Sequence, residues 1–306
     1  GQEYLEFENH AEATLSPYYK VSGDNWNLKL GANIMFVTGD NSKFMASPNI
    51  TADVEVADKT ELYLVAGGKL YSNSMYEISQ VNRYINPTME LLPSRNYLDG
   101  TVGIRSGIAP GFWFDVFGGY KITSDEVFFA PTLLAPSVQG DIFANTSRAL
   151  QANAKHAFGG VNLKYSYQQL LDISLKGMYN NWKANQGDES VELSHAYGKP
   201  EMEVNANVTV RPIDKLSVAL DYYLATGRYA FVKNYWEAEN HSSVSAGAGE
   251  YKMNNINELT LTGTYTFNDT FGVYAKLNNI LCQKYEVYYG YPLQSFSAII
   301  GVNINF

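Results

Sequence analysis

Apolar and polar residues alternate with a period of two along most of this chain. The clearest case is the closing segment, SFSAIIGVNINF, in which small or polar residues separate Phe296, Ala298, Ile300, Val302, Ile304 and Phe306. Successive side chains of a β-strand point to opposite faces, so this pattern predicts a strand with one apolar face and one polar face. The segment suits one tilted crossing of a bilayer, which needs roughly 9–11 residues.

The same alternation recurs from end to end and predicts about 13 strands. Their approximate ranges are 11–21, 26–36, 50–56, 62–70, 98–108, 112–122, 161–165, 171–179, 202–210, 216–224, 259–267, 271–277 and 295–306. No segment with helical periodicity stands out between them. No run of 18 or more apolar residues occurs, and the mean hydropathy is −0.23, so ordinary transmembrane helices are excluded.

Short turns and long polar loops alternate along these strands. The turns are short at SGDN, ADKT and Ala109-Pro110-Gly111, whereas the loop over residues 72–96 is long. This asymmetry is typical of bacterial outer-membrane barrels, whose short turns face the periplasm and whose long loops face outward. A soluble β-sandwich has no reason to keep it. The sequence therefore predicts an all-β fold, an antiparallel transmembrane β-barrel in the bacterial outer membrane.

Strand direction adds an expectation about the size of this barrel. The closing strand runs from a long loop towards the periplasm, and the strand over 11–21 runs the same way, so these two strands cannot pair antiparallel. Bacterial barrels normally have an even number of strands. We expect one further strand before Ala11, of which Gln2–Phe7 would be the end. Two alternatives stay open: a barrel of about 14 strands, or the C-terminal part of a larger barrel of up to about 22 strands.

Composition narrows the possible functions. The net charge of −9 argues against a nucleic-acid partner, since phosphate contacts require clustered Lys and Arg. Cys282 is the only cysteine, which excludes an internal disulfide. His10, His156, His195 and His241 share no motif and have no zinc-ligand spacing. We therefore predict no enzyme activity, no metal site and no cofactor.

The period-two pattern also places charged residues on the inner, lumen-facing side of the barrel. They are Lys29, Asp53, Lys69, Arg105, Asp115, Lys164, Asp172, Lys176, Glu203, Asp221 and Lys276. Two roles stay open for them, which are compatible: a charged wall that selects solutes by sign, or a ladder of ion pairs that stabilises the wall.

Turn lengths predict which of these residues face each other. A three-residue turn at Ala109-Pro110-Gly111 sets Arg105 opposite Asp115, and a turn at YQQ sets Lys164 opposite Asp172. Directly opposed side chains have Cβ atoms roughly 4.5–5.5 Å apart, close enough for opposite charges to interact.

Aromatic residues fall into two groups. Those near strand ends are predicted to anchor the barrel at the membrane interface: Trp26, Trp113, Trp182, Tyr222, Phe267 and Phe271. Those in long loops are candidates for stacking on an external sugar or peptide ligand: Tyr235, Trp236, Tyr288 and Tyr289.

Two stretches resemble a known family. The segment KLNNILCQKYEVYYGYPLQSFSAIIGVNINF contains an Asn-Leu-like step, a following Tyr and a terminal aromatic strand, at Asn278, Asn279, Ile280, Leu281, Tyr285 and Phe306. The segment from Asn82 to Phe129 contains an Asn-Pro loop at Asn86-Pro87, a strand with Gly100 and Gly103, a tight turn and an aromatic strand. Both resemble the barrel of TonB-dependent outer-membrane receptors.

The resemblance implies uptake of a small nutrient ligand with the help of a TonB system. Such receptors also carry a plug domain, which we do not find, so residues 1–306 are expected to form a single outer-membrane barrel domain. Alternatives are a self-contained passive porin or channel, or a scaffold that binds a surface lipoprotein. Outer-membrane lipid and the barrel-assembly machinery are expected partners, the latter recognising the C-terminal strand through Phe296, Ile300, Val302, Ile304 and Phe306. The C-terminus would be periplasmic and the long loops extracellular.

Overall fold

A computed structural model describes residues 11–38, 43–87, 89, 91–134, 146–186, 191–237 and 244–305. The chain is nearly all β, as predicted. The strands are β1 (Glu12–Leu15), β2 (Tyr18–Ser22), β3 (Trp26–Val37), β4 (Lys43–Pro48), β5 (Ile50–Ala57), β6 (Thr60–Tyr71), β7 (Ser94–Ala109), β8 (Phe112–Leu134), β9 (Thr146–Tyr167), β10 (Leu171–Gln186), β11 (Val191–Leu193), β12 (Met202–Ile213), β13 (Leu216–Thr226), β14 (Tyr229–Glu237), β15 (Val244–Lys252), β16 (Ile256–Thr266), β17 (Phe271–Asn278), β18 (Glu286–Tyr288), β19 (Tyr291–Pro292) and β20 (Ser297–Ile304). Within the described ranges one helix is present, α1 (Met75–Val81).

Nearly all of these strands join in one antiparallel sheet that follows chain order. Its successive positions are β2, β3, β5, β6, β7, β8, β9, β10, β12, β13, β16, β17 and β20. The short strands β1 and β4 continue β2 and β5 on the two sides of β3. In the described part of the chain the sheet thus has thirteen positions, in agreement with the predicted number.

The sheet is open. Because its positions are odd in number and antiparallel, its first and last strands run in the same direction, as expected. In the described residues β1 and β2 pair only with β3, and β20 pairs only with β17, so each edge has an unpaired side.

Several predicted loops contain strands instead. β4 lies where a polar loop was expected, and Pro17 interrupts the predicted first strand between β1 and β2, since proline has no backbone N–H to donate. At the long-loop end, β8 and β9 extend far beyond residues 122 and 161 and pair through Thr132 and Thr146. The loop between β13 and β16 contains the hairpin β14–β15.

Helix α1 was also missed, although the sequence carries its start signal. The Ser74 hydroxyl accepts a hydrogen bond from the Glu77 backbone N–H at 3.3 Å, and the Glu77 carboxylate accepts one from the Ser74 backbone N–H at 3.2 Å. This is a capping box, which satisfies two backbone donors that a helix start leaves unpaired. With only seven residues, the helix is too short to show clear periodicity.

Two turns differ from those predicted. Ala109 pairs with Phe112 across a two-residue turn, and a register shift between Ser106 and Ala109 restores Arg105 opposite Asp115. In the next hairpin Tyr167 pairs with Leu171, so β9 runs two residues further into the turn than expected. Gln168 takes up the tight bend with φ +50°.

Burial is distributed unlike that of a soluble protein. Large apolar side chains are exposed along the outer face of the strands, for example Val102 at 57% and Ile300 at 84%. Buried apolar clusters lie at the long-loop end instead, as with Phe128 against Ala152, Ala154 and Ala184.

Candidate functional site

A continuous row of polar side chains crosses the concave face of the sheet. Directly opposed pairs connect, in order, Glu61, Arg105, Asp115, Asn162, Lys176, Asn205, Tyr223 and Glu258. We call this row the polar belt. It exists because each member occupies an inward position of its strand and every strand pair is in register at this level.

The first half of the belt is closely hydrogen-bonded. The Arg105 guanidinium donates from Nε and from a terminal nitrogen to the two carboxylate oxygens of Glu61, both at 2.9 Å. The Asp115 carboxylate accepts from the Tyr63 hydroxyl at 2.8 Å and from the Asn162 amide at 3.1 Å. Such two-pronged contacts hold neighbouring strands in one geometry.

Two cavities open onto this face. The larger, of about 650 Å³, lies over β8 to β16 and is lined by Trp113, Lys164, Lys176, Asn205, Asp221 and Tyr223 among others. The second, of about 550 Å³, lies over β3 to β7 near the short turns, and its acidic lining includes Asp24, Asp53, Glu55 and Glu61.

At the long-loop end, segments that are distant in the chain meet over the sheet. The Tyr288 hydroxyl donates to the Val81 carbonyl at 2.6 Å, and the Tyr84 and Tyr291 rings stack with centroids 3.9 Å apart. Strand β14 also pairs in parallel with the tip of β8. These contacts join the loop after β6, the fourth position of the sheet, with the loop before β20, the thirteenth.

Charged side chains, one buried and the others partly exposed, support the same loop layer. The Arg228 guanidinium donates to the carbonyls of Asn254, Glu286 and Val287 at 2.7–3.0 Å, and burial lowers the pKa of Arg228. Lys199 pairs with Glu126. Burial lowers the pKa of Lys199, although the carboxylate of Glu126 opposes that shift.

The ring of Trp182 is packed on both sides in this layer. The Lys199 ammonium lies 4.3 Å from its centroid, and His156 stacks on it at 3.7 Å. Trp182 therefore faces inward, as does Trp113, whose ring lies under the Lys164 ammonium at 5.4 Å. The prediction of interface anchors is wrong for these two residues, because they occupy inward positions of their strands.

The predicted inner charges mostly have neutral or unexpected partners. Lys29 donates to Asn49, and carboxylates accept from amides or hydroxyls at Asp53, Glu203 and Asp221. The Lys69 ammonium lies 4.9 Å from the centroid of the Tyr71 ring, in the part of β6 that follows a register shift against β7. Among the described residues, Lys176 and Lys276 make no side-chain hydrogen bond or ion pair.

The two predicted charge pairs fare differently. Arg105 does lie opposite Asp115, but its ion-pair partner is Glu61 on the other neighbouring strand. The prediction for Lys164 is wrong, since it lies opposite Ser174.

Asp172 lies opposite Ser166, whose hydroxyl donates to it at 2.7 Å, and it forms an ion pair with Arg211. The missed partners Glu61 and Arg211 sit on strands whose registers no local turn rule predicted. Period two alone could have placed Glu61 inward, beside the outward Leu62.

The candidate ligand aromatics lie at the long-loop end. Tyr288 contacts Tyr84 and Phe129 edge-on, and Tyr289 packs near Tyr251 with centroids 5.0 Å apart. Tyr235 and Trp236 belong to β14, but their side chains lie outside the described part of the structure, as does Phe306. In the closing strand, Ile300, Val302 and Ile304 are all exposed, and Phe296 precedes it.

No helix in the described ranges has both the length and the apolar character needed to cross a membrane. The same ranges contain no group of three or more His, Cys, Asp or Glu side chains placed to hold a metal ion. His10 and His241 lie outside them.

Solved structures define the class to which this fold corresponds: the barrels of TonB-dependent outer-membrane receptors. The pyoverdine receptor FpvA of Pseudomonas aeruginosa matches 99% of this chain with a TM-score of 0.65 and 13% identity. The copper transporter OprC matches 97% with a TM-score of 0.61 and 13% identity. The siderophore receptor PiuA of Acinetobacter baumannii matches 96% with a TM-score of 0.61 and 10% identity.

The chain spans less than half of these receptors, covering 43% of FpvA, 47% of OprC and 43% of PiuA. One FpvA structure is a complex with pyocin S2. These neighbours are transport receptors of the outer membrane. No protein-family model and no curated protein matches the sequence.

Proposed function

We propose that this chain forms part of the barrel of an outer-membrane receptor that takes up a small nutrient with a TonB system, and that it has no enzymatic role. The observation that carries the proposal is the fold match over almost the whole chain to receptors for siderophores and copper. The outward apolar face suits lipid, and the polar belt suits a hydrated interior. In this proposal the short turns and the C-terminus are periplasmic and the long loops are extracellular.

We propose residues 1–306 as a single barrel domain within a larger barrel. The unpaired outer sides of β2 and β20 support this, because an unsatisfied backbone group in hydrocarbon costs several kcal/mol. Further strands would pair with both edges. The exposed apolar residues of β20, with Phe296 and Phe306, would be the feature that the assembly machinery recognises.

The polar belt has a structural role in this proposal. Most of its charges are shared with neighbouring side chains, so it stabilises the wall and leaves Lys176 for solutes. Tyr235, Trp236, Tyr288 and Tyr289 remain candidates for external ligand contact, with Tyr288 also tying two loops together.

The second candidate is a passive channel, and a scaffold that binds a surface lipoprotein is the other alternative. The two cavities of about 650 and 550 Å³ on the concave face favour the channel, since they leave open space along the wall.

Uptake in the native bacterium separates these functions. A strain lacking the whole protein is compared with a complemented strain on growth limited in turn by ferric siderophores, copper and other nutrients, with and without TonB. A defect that also appears on TonB loss supports the receptor. Uptake that is independent of TonB, together with steady conductance in planar bilayers, contradicts the receptor and supports the channel. Co-purification of a lipoprotein without any uptake defect supports the scaffold.

A further inference from the structure

Two lysines face each other on the outer side of the β9–β10 hairpin. Lys155 pairs directly with Lys183, and both are exposed. Their chain neighbours His156 and Trp182 stack on each other on the inner side, which places the lysines outward. Like charges in directly opposed positions destabilise a strand pair.

No carboxylate neutralises this pair in the described structure. Neither lysine makes a hydrogen bond or an ion pair there. Lysines on the inner side at a similar level do have carboxylate partners. Lys121 forms an ion pair with Asp99 at 2.8 Å, and Lys199 forms one with Glu126. The outward pair is therefore open to an anion from outside the described chain.

The position of the pair relative to the apolar band indicates the source of that anion. On the same outer stripe of β10, Tyr179 is 58% exposed and lies opposite Gly159, above the exposed Ile173. Exposed tyrosines mark the edge of the apolar band of barrels, where it meets the headgroups. At about 3.3 Å per residue and a tilt near 40°, Lys183 lies roughly 10 Å above Tyr179. Its ammonium is then level with lipid phosphates.

We propose that Lys155 and Lys183 bind the phosphate groups of lipid A, the anionic lipid of the outer leaflet. This rests on the proposed membrane location and orientation. Two ammonium groups held side by side on adjacent strands can share one phosphate, which removes their mutual repulsion.

The test counts lipid A bound to the full protein after extraction from the outer-membrane fraction into a non-ionic detergent, by native mass spectrometry. The variant is Lys155→Gln/Lys183→Gln. The matched control is Lys164→Gln/Lys176→Gln, which removes two lysines from the same two strands on the inner face. Recovery from the outer-membrane fraction tests the location separately, so a failure of the proposed function is distinguishable from a failure of this site.

We expect the outward variant to bind purified bisphosphorylated lipid A roughly thirtyfold more weakly, since each basic residue at an anionic surface contributes about 1 kcal/mol. The control variant should bind as the unaltered protein does. Unchanged binding in the outward variant, or equal loss in the control, overturns the proposal. Displacement of lipid A by millimolar inorganic phosphate also overturns it, in favour of a free-phosphate site, and so does capture of an acidic protein in place of the lipid.

Thermal stability provides a second readout, because the effect of the substitution on the melting temperature should reverse when lipid A is added. In lipid-free detergent the outward variant should melt higher than the unaltered protein, because a repulsion is removed. After lipid A is added it should melt lower, because the bound anion is lost. A variant that melts higher in both conditions contradicts the site.

Discussion

At the short-turn end of the sheet, neighbouring strands are joined within a few residues and pair with the strands beside them. The hydrogen bond from Tyr63 to Asp115 spans a single intervening strand. At the long-loop end, Tyr288 donates to a carbonyl 207 residues away in the chain, and β14 pairs with the tip of β8. The first end is governed by local alternation and turn chemistry. The second is governed by contacts across the concave face. The difference teaches that in this fold secondary structure can be predicted from sequence where strands pair with their neighbours in the chain. It cannot be predicted where the contacts join segments that are distant in the chain.

The largest expected effect concerns the apolar band between the two ends. Val204 lies in the outward stripe of β12, opposite Gly177 and Leu224, while Asn205 belongs to the polar belt. Val204→Arg should destabilise the assembled barrel by about 1–4 kcal/mol, because it places a charge on the lipid-facing side of the apolar band. Asn205→Arg should be tolerated. Heat-modifiable migration of outer-membrane fractions measures both, and equal harm from the two variants would refute the assignment of faces.

The second prediction compares a glycine from each end. Gly111 in the β7–β8 turn and Gly198 in the loop before β12 both have positive φ, +74° and +78°. A Cβ at Gly111 would lie 2.0 Å from the Ser166 carbonyl oxygen, whereas a Cβ at Gly198 would meet nothing within 4 Å.

Both alanine variants carry the backbone strain of roughly 1 kcal/mol. Gly111→Ala should lose about 1–3 kcal/mol more, from the clash with backbone. Denaturant unfolding in detergent measures the difference, and equal losses would show that the short-turn end is not the tighter one.

The third prediction breaks the loop layer alone. Lys199→Met leaves the Glu126 carboxylate without its cation at a site where both side chains are about one-quarter exposed. The loss should be about 1–2 kcal/mol, between the values for exposed and buried pairs. Amide hydrogen exchange should rise in residues 194–200 and stay unchanged in β12. Lys215→Met, at the short-turn end, is the control and should change neither region.

The smallest effect is a pH dependence in helix α1. Burial alone would raise the pKa of Glu77, but hydrogen bonds from Ser72 and Ser74 outweigh it and lower the pKa. Because the folded pKa is lowered, the capping carboxylate stabilises the helix above its ordinary pKa and ceases to do so as pH falls through the lowered value. Exchange protection over 75–81 should therefore drop between pH 6 and pH 3, by the few tenths to 1 kcal/mol typical of a cap. Glu77→Gln should make that protection independent of pH.

Particular residues show how far local rules reach. The position of Arg105 opposite Asp115 was predictable because a tight turn joins their strands. The turn is one residue shorter than predicted, but an unpredicted register shift compensates for this difference. The pairing of Arg105 with Glu61 was not predictable, because a long loop separates β6 from β7 and leaves their register free. Lys164 was misplaced because the YQQ turn begins two residues later than its polarity indicates.

By itself the sequence determined the thirteen positions of the sheet, the two faces of their strands and the parity that keeps β2 and β20 from pairing antiparallel, because side-chain alternation is a local property of an extended chain. Only the tertiary structure decided the polar belt, the ion pairs of Arg105 and Asp172, and the loop contacts among Val81, Tyr84 and Tyr288. Those depend on strand registers across long loops and on the curvature that brings distant segments together, and neither is encoded in any short stretch of residues.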